Sequence, residues 1–118
     1  MYQGVSKEYA IDCFDFTPAP DTKMVPELIA SKDGAVYENL IGPKNTDCFI
    51  INRITLKDCE HLMKIEDSYG VYIVTEGEGL IKGEDYERKI KKGDYFFLPC
   101  CAMGWFKLIG NLECVECY

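Results

Sequence analysis

Histidine is almost missing from this chain of 118 residues, because His61 is its single imidazole. This scarcity excludes a metal centre built from several imidazoles, the ligand type that Zn, Cu, Fe and Ni share. His61 itself could serve as a lone ligand or a general base, but a tuned base needs an orienting partner and a pocket. Since it lies in a polar stretch, we predict that His61 is simply solvated.

Positive charge is also scarce: 13 lysines and arginines stand against 20 aspartates and glutamates, for a formal net charge of −7. Affinity for nucleic acid comes from cations that displace counterions from phosphates, so we expect no nucleic-acid partner. No apolar run approaches the roughly 20 residues that cross a bilayer. Residues 1–8 lack the apolar core of a signal peptide. We therefore expect a cytoplasmic protein without membrane contact.

Cysteine, in contrast, is abundant, with seven residues. The whole chain is 47% hydrophobic, cysteine included, and 28% charged. The odd number of cysteines, without an export signal, favours reduced thiols that fill core gaps over a disulfide framework. Cys114 and Cys117 form a C-x-x-C pair, and Cys100 and Cys101 are adjacent. On a strand both spacings place the two thiols on opposite faces, so we expect neither pair to bind zinc.

Short apolar segments, separated by glycine and acid-rich turns, recur through residues 71–99. This spacing predicts an all-β domain of about eight to ten strands, either a sandwich or a barrel. Gly77 and Gly79 indicate a bend or bulge, and Gly110-Asn111 has the composition of a two-residue hairpin turn. The predicted strands are residues 48–56, 71–75, 80–82, 86–90, 95–98, 105–109 and 112–118.

The first 26 residues predict a separate arm. Residues 10–16 alternate apolar and acidic side chains, as a strand or an extended arm does. The prolines of residues 17–26 predict an extended crossing, because proline fixes φ and donates no hydrogen bond. We therefore divide the chain into an arm and Pro-rich crossing at 1–26 and a single barrel domain at 27–118. Residues 27–42 are compatible with a short helix or with a strand.

Two segments resemble the signatures of the cupin barrels. Residues 93–99 (GDYFFLP) resemble the second signature, and residues 72–79 (YIVTEGEG) resemble the end of the first. The resemblance implies a cupin-type antiparallel β-barrel, a jelly roll or double-stranded β-helix. Many cupins bind a divalent metal through histidines and a glutamate on these signatures. Here the corresponding positions are Met63, Ile65 and Gly70, or Lys64 and Glu66 with the shorter spacing, and Gly104, so we expect no metal site.

A narrower resemblance covers nearly the whole chain. Residues 74–81, 90–99 and 110–115 are similar to the C-terminal cupin domain of type I phosphomannose isomerases. Residues 10–16 resemble the segment by which the chain of those enzymes leaves the catalytic domain, and residues 49–56 resemble the strand that follows. Those enzymes interconvert mannose 6-phosphate and fructose 6-phosphate in carbohydrate metabolism, with a zinc ion in their first cupin domain. The zinc ligands and the catalytic residues correspond to positions upstream of Met1, so the resemblance implies no catalytic residue and no cofactor within this chain.

Three functional hypotheses follow. The first is a non-catalytic domain that packs on an isomerase catalytic domain. The second is a free-standing cupin that binds a small sugar or sugar phosphate in the barrel mouth, between the aromatic side chains of Tyr72, Tyr95, Phe97 and Trp105. The third is a metal-dependent enzyme with unusual ligands such as Glu66, His61 and the cysteines.

Two features leave alternatives open. The mixed charges of residues 82–92 are typical of a solvated sheet edge, and a phosphate pocket is the alternative. An open edge of a small barrel could also pair with a second copy, so a homodimer remains compatible with the sequence.

Overall fold

The computed structural model describes residues 4, 6–14, 16–17 and 25–118. Seven strands and one short helix form the regular structure of this part of the chain. A 3₁₀ turn at Cys100–Ala102 follows Pro99. The elements are α1 (Lys7–Asp12), β1 (Glu27–Lys32), β2 (Ala35–Ile41), β3 (Ile51–Leu62), β4 (Gly70–Lys82), β5 (Glu87–Lys91), β6 (Tyr95–Leu98) and β7 (Lys107–Cys117).

All strands pair antiparallel in a single sheet with the order β1-β2-β3-β7-β4-β5. The long strand β4 has β7 along one side, while its other side pairs first with β6 and then with β5. The prediction of an all-β antiparallel barrel is confirmed. The described residues contain seven strands, fewer than predicted, because β3, β4 and β7 are each longer than the segments that the sequence pattern delimits.

Strands β3 and β4, the two neighbours of β7, each carry an irregularity near their middle. The register shifts in β3 between Leu56 and Cys59, and in β4 between Val74 and Glu76. Gly77 takes a φ of 77°, which non-glycine residues rarely adopt. The predicted bend at Gly77 is therefore confirmed, and it divides the long strands into two halves that enclose a core.

The predicted hairpin at Gly110-Asn111 is wrong, because both residues lie inside the continuous strand β7. Gly110 is paired with Gly79 on one side and with Cys59 on the other. A Cβ atom on Gly110 would lie 2.9 Å from the Gly79 Cα atom. Glycine is needed here for the close approach of two strands rather than for a turn.

The region that the sequence left ambiguous, residues 27–42, is the hairpin of β1 and β2. Asp33 and Gly34 connect the strands with φ values of 48° and 90°. Two successive positive φ values are typical of a type I′ turn, for which Asp-Gly is a favoured sequence. A helix in this region is excluded.

The N-terminal segment differs from the strand or extended arm predicted for residues 10–16, since the helix Lys7–Asp12 includes its first residues. Ser6 caps this helix, and its hydroxyl accepts a hydrogen bond from the Tyr9 N–H at 3.4 Å. The predicted Pro-rich crossing lies mostly outside the described residues, and the proposed domain boundary at residue 26 stays a prediction. No helix in the described ranges is long and apolar enough to span a membrane.

One apolar core fills the space between the two halves of the sheet. Ile54, Cys114 and Val74 are direct neighbours across β3, β7 and β4, and all three are buried. Inward-facing side chains alternate with outward-facing ones, as the two-residue period of a strand requires. The remaining buried apolar residues are Leu56, Met63, Ile65, Tyr72, Ile81, Ile90, Leu98, Leu108 and Leu112.

Candidate functional site

A buried carboxylate lies at one end of this core. Glu116 on β7 is only 1% exposed. Its carboxylate accepts hydrogen bonds from the Tyr37 hydroxyl at 2.5 Å, the Tyr72 hydroxyl at 2.9 Å and the Asn52 Nδ2 atom at 3.0 Å. Asn39 extends the group by donating to the Asn52 Oδ1 atom at 2.9 Å. We call these five residues the polar row.

Strand register brings the polar row together. Asn39 is paired with Asn52, Asn52 with Glu116, and Glu116 with Tyr72, across the adjacent strands β2, β3, β7 and β4. Tyr37 lies two residues before Asn39 and therefore on the same face of β2. Register thus places one polar side chain each from β2, β3, β7 and β4 at the same level of the barrel, and Tyr37 joins them from β2.

The polar row satisfies its own hydrogen bonds. The Asn52 Nδ2 atom donates to the Tyr37 oxygen at 2.7 Å as well as to Glu116. Within the described residues, no buried side-chain nitrogen or oxygen lacks a partner. Glu116 forms no ion pair with any of these residues, so its charge is stabilised by neutral donors alone. Since a half-satisfied buried polar network is costly, this closed arrangement suits a structural role.

Burial shifts the titration of the groups around Glu116. Removal from water raises the pKa of Tyr37 and of Tyr72 far above the usual range, and the adjacent Glu116 carboxylate adds to both shifts. Burial also raises the pKa of the Cys114 thiol to about 12. These phenols and this thiol therefore stay protonated at neutral pH.

His61 is not the solvated loop residue that the sequence predicted. It lies on β3, half-buried, with its ring 5.6 Å from the ring of Tyr37. Burial lowers the pKa of His61, and the negative charge of Glu116 opposes that shift in part. The correction arises because β3 extends to Leu62, six residues beyond the predicted end of the strand. His61 is thereby placed on the inner side, beside the polar row.

The four aromatic residues predicted to line a ligand site do not share a pocket. Tyr72 is fully buried and stacks on Phe96 at 5.1 Å between ring centroids. Tyr95 and Phe97 flank Phe96 on β6, so they point to the opposite face, and they are 77% and 58% exposed. Trp105 is exposed in the segment before β7. A common aromatic wall in the barrel mouth is therefore excluded, and ligand binding by any one of them stays a prediction.

Exposed apolar side chains instead cover the outer surface where β4 pairs with β6. Ile73 is paired with Tyr95, and Val71 with Phe97, on this outward face. The ring of Tyr69 lies 5.5 Å from the ring of Phe97. We call the four exposed residues Tyr69, Ile73, Tyr95 and Phe97 the aromatic face.

A groove of about 720 Å³ runs over the outer surface of β4, β5 and β7. Leu80 and Ile109 contribute its apolar floor, and Lys89 and Lys91 line it from β5. Ile90 between the two lysines is buried in the core, so both lysine side chains point outward. We call this feature the charged groove; its volume lies within the range of small-molecule sites.

Metal-donor groups do not converge anywhere in the described part of the chain: it holds no group of three or more His, Cys, Asp or Glu that could bind an ion. At the positions that correspond to metal ligands in other cupins, Met63 and Ile65 are buried apolar core residues, and Gly70 and Gly104 carry no donor. Lys64 and Glu66, the shorter-spacing alternative, are exposed. The residues present do not fit a metal ion.

The cysteines are all free in this structure. Cys114 faces the core, whereas Cys117 lies on the opposite face of β7, as the strand period predicted. Cys100 and Cys101 are exposed in a 3₁₀ turn, so the strand geometry used to separate their thiols does not apply to them.

The polar row was missed at the sequence level, although part of it has a signal. Leu112, Cys114 and Glu116 alternate along the strand, so the glutamate shares the inward face with two apolar residues. A charged side chain in such a series indicates a buried carboxylate that needs partners. Tyr37 and Asn52 have no comparable signal, because their contacts depend on strand register.

Comparisons with known proteins agree with this architecture. A family model described as mannose-6-phosphate isomerase, cupin domain, matches residues 42–118. Among solved structures, the mannose 6-phosphate isomerase from Bacillus subtilis superposes with a TM-score of 0.73 at 24% sequence identity. That match covers 94% of this chain and 33% of the other, so the chain spans about a third of that enzyme's length.

Two further solved structures are similar at lower identity. The polyketide cyclase RemF from Streptomyces resistomycificus has a TM-score of 0.61 at 16% identity, with coverage of 87% of this chain and 78% of that one. A cupin-superfamily sugar phosphate isomerase from Silicibacter pomeroyi has a TM-score of 0.60 at 16% identity, with coverage of 71% and 59%. These likenesses confirm the predicted cupin fold. A comparison with curated proteins found no significant match.

Proposed function

The chain belongs to the family of mannose-6-phosphate isomerase cupin domains, and from this membership we propose that it is a non-catalytic accessory domain of such an isomerase. It holds no metal itself and packs against the domain that interconverts mannose 6-phosphate and fructose 6-phosphate. The free thiols suit a reducing compartment, so we place this role in the cytoplasm.

The closed polar row is the observation that carries this proposal. Active sites keep polar groups available for a substrate, whereas Glu116, Tyr37, Tyr72 and Asn52 hydrogen-bond one another inside the barrel. A general acid or base must also reach the proton that it transfers, within about 3 Å or through one water. Glu116 is 1% exposed and surrounded by its own partners. This arrangement favours a scaffold over a reaction centre.

The aromatic face supports the packing role. The largest apolar patch on a typical monomeric protein exposes about 300 to 600 Å² and often has a function. From typical aromatic side-chain areas, the four residues of the aromatic face expose on the order of 400 Å², about half of what one partner contributes to a standard interface. A second protein surface of apolar character fits this patch.

An isomerase assay tests the proposal. The purified chain, supplied with zinc, is incubated with mannose 6-phosphate, and fructose 6-phosphate is measured by a coupled assay with the Bacillus subtilis enzyme as the positive control. We expect formation of fructose 6-phosphate at the rate of the blank. Turnover at ordinary enzymatic rates, about 1 s⁻¹ or more, would overturn the non-catalytic role.

The alternative of a sugar phosphate bound in the barrel mouth has less support. The apolar core and the polar row fill the barrel interior, and the four aromatic residues proposed for that site face different directions. The structure instead offers the charged groove on the outside of the barrel.

A further inference from the structure

Lys89 and Lys91 both line the charged groove, and neither forms an ion pair with any described residue. Neighbouring lysines do so: Lys82 pairs with Glu87, Lys92 with Glu76 and Lys107 with Glu60. Glu78 and Asp94 also line the groove, so its formal charge is balanced, and the two unpaired ammonium groups lie together on its β5 side.

The strand geometry directs both ammonium groups over the same groove. Residues two apart on a strand share a face and lie roughly 7 Å apart at Cα. A tetrahedral phosphate between two lysines at this spacing can accept hydrogen bonds from both. Lys91 is also opposite Glu78 on β4, yet the two side chains form no ion pair. Both lysines therefore remain free to bind an anion.

The rest of the groove suits an organic molecule rather than a bare ion. Leu80 and Ile109 provide apolar contact for C–H groups, while the Glu78 carboxylate can accept hydrogen bonds from hydroxyl groups. Asp94 also lines the groove, but its carboxylate accepts a hydrogen bond from the Lys91 backbone N–H at 2.9 Å, which fixes it in the turn. Positive charge, apolar floor and hydrogen-bond acceptor lie in one cavity.

We propose that the charged groove binds a small organic monophosphate, with Lys89 and Lys91 holding the phosphate and the apolar floor contacting the organic part. This site is separate from the polar row and from the aromatic face. The inference does not depend on the accessory role, because a domain with or without catalytic activity can carry it.

Calorimetric titration of the full chain tests the site with four probes: mannose 6-phosphate, glycerol 3-phosphate, inorganic phosphate and mannose. The test variant is K89Q/K91Q, and the matched control is K57Q/K64Q, which removes the same charge from two exposed lysines that also form no ion pair. All four lysines are exposed, so both variants should fold, and their circular dichroism and thermal melts verify this.

We expect the two organic phosphates to bind the wild-type chain more tightly than inorganic phosphate or mannose. Their dissociation constants should rise at least about tenfold in K89Q/K91Q and stay unchanged in K57Q/K64Q. Absence of binding to the wild type would overturn the proposal, and so would equal weakening in both variants, which indicates diffuse charge attraction. Binding of mannose or inorganic phosphate as tight as that of the organic phosphates would also overturn it.

Discussion

At the scale of single residues, Glu116 is the side chain on which most polar contacts of the interior depend. It accepts hydrogen bonds from three donors on three other strands. Burial of a carboxylate is costly unless its charge is stabilised, and here neutral hydroxyl and amide groups provide that stabilisation. Removal of the acceptor leaves the donors without partners in a place that water does not reach.

We expect Glu116→Ala to lower the free energy of unfolding by about 3 kcal/mol, because each unsatisfied buried donor costs on the order of 1 to 3 kcal/mol. Glu116→Gln should cost less, since it keeps the shape and one acceptor oxygen. Urea unfolding measures both. The control is Glu113→Ala on the outward face of the same strand, which removes a 4.0 Å ion pair with Arg53 and a hydrogen bond from the Thr75 hydroxyl. Since the Thr75 hydroxyl keeps the Glu113 backbone oxygen as an acceptor, this loss should cost about 1 kcal/mol or less. Equal losses at the two positions would contradict the structural role of the polar row.

His61 gives a pH-dependent prediction. Burial lowers its pKa in the folded state below the ordinary histidine value of 6.5. Between these two pKa values the unfolded chain binds the proton and the folded chain does not, so stability falls as the pH falls through this window. The stability that comes from keeping His61 neutral is fully present above pH 6.5, and it is lost as the pH falls toward the folded-state pKa. As the single histidine, His61 gives one imidazole signal in proton NMR, and we expect a titration midpoint below 6.5. A midpoint at or above 6.5 would contradict a pKa that is lowered by burial.

At the residue scale, the face on which a strand residue lies could be predicted, but its contacts with other strands could not. The opposite faces of Cys114 and Cys117 follow from the strand period alone, and the structure confirms them. The partners of Glu116 could not be predicted, because they lie 79, 64 and 44 positions away and meet only through strand register. His61 was misplaced because its side chain is covered by Tyr37 from another strand.

At the scale of elements, sequence signals were sufficient to predict features that depend only on residues close together in the chain. Strand β6 has the predicted bounds, and Gly77 has a positive φ directly after the register shift between Val74 and Glu76, since turn residues and glycines are encoded locally. The same kind of local signal led to a wrong prediction of a hairpin turn at Gly110-Asn111. A glycine there serves a tight turn and a close strand crossing equally well, and only the presence of Gly79 opposite distinguishes them.

Because β7 and β4 approach closely at Gly110, replacing this glycine by alanine should cost more stability than replacing Gly93. Gly110→Ala combines a strained φ of 129° with a Cβ atom 2.9 Å from the Gly79 Cα atom and 3.0 Å from the Glu78 carbonyl oxygen. Gly93→Ala has a φ of 90° with nothing within 4 Å. We expect a loss of about 1 kcal/mol for Gly93→Ala from backbone strain, and at least about 2 kcal/mol more for Gly110→Ala from overpacking. Chemical denaturation measures both, and similar losses would mean that the strands do not approach closely.

At the scale of the whole molecule, the interior holds the apolar core and the polar row, whereas the aromatic face and the charged groove lie on the outside. The all-β class could be inferred from the spacing of turns, and the cupin fold from the signature-like segments, but the strand order was not predicted. The distribution of exposed apolar surface could not be inferred, since the face on which a side chain lies depends on how the sheet bends. The sequence therefore suggested an aromatic wall within the barrel, where the structure has an aromatic face outside it.

Substitutions in the aromatic face should change the binding of a hydrophobic dye but hardly change the free energy of unfolding. Replacement of Tyr95 and Phe97 by serine removes two side chains that are 77% and 58% exposed, so the free energy of unfolding should change by less than about 1 kcal/mol. Binding of a hydrophobic dye such as ANS should fall by at least about half, because these rings form most of the patch. Leu28→Ser on β1, at the far edge of the sheet, removes a 61% exposed side chain as the control and should leave dye binding nearly unchanged.

Sedimentation measurements on the same variants show what covers the aromatic face when the chain is alone. If a wild-type dimer dissociates in the Tyr95→Ser/Phe97→Ser variant, a second copy occupies the face in solution. A monomer that binds the dye strongly leaves the face free for an isomerase catalytic domain, which is the outcome we expect. Equal dye binding by the wild type and the double variant would contradict a docking role, because the exposed apolar surface would then lie elsewhere on the barrel.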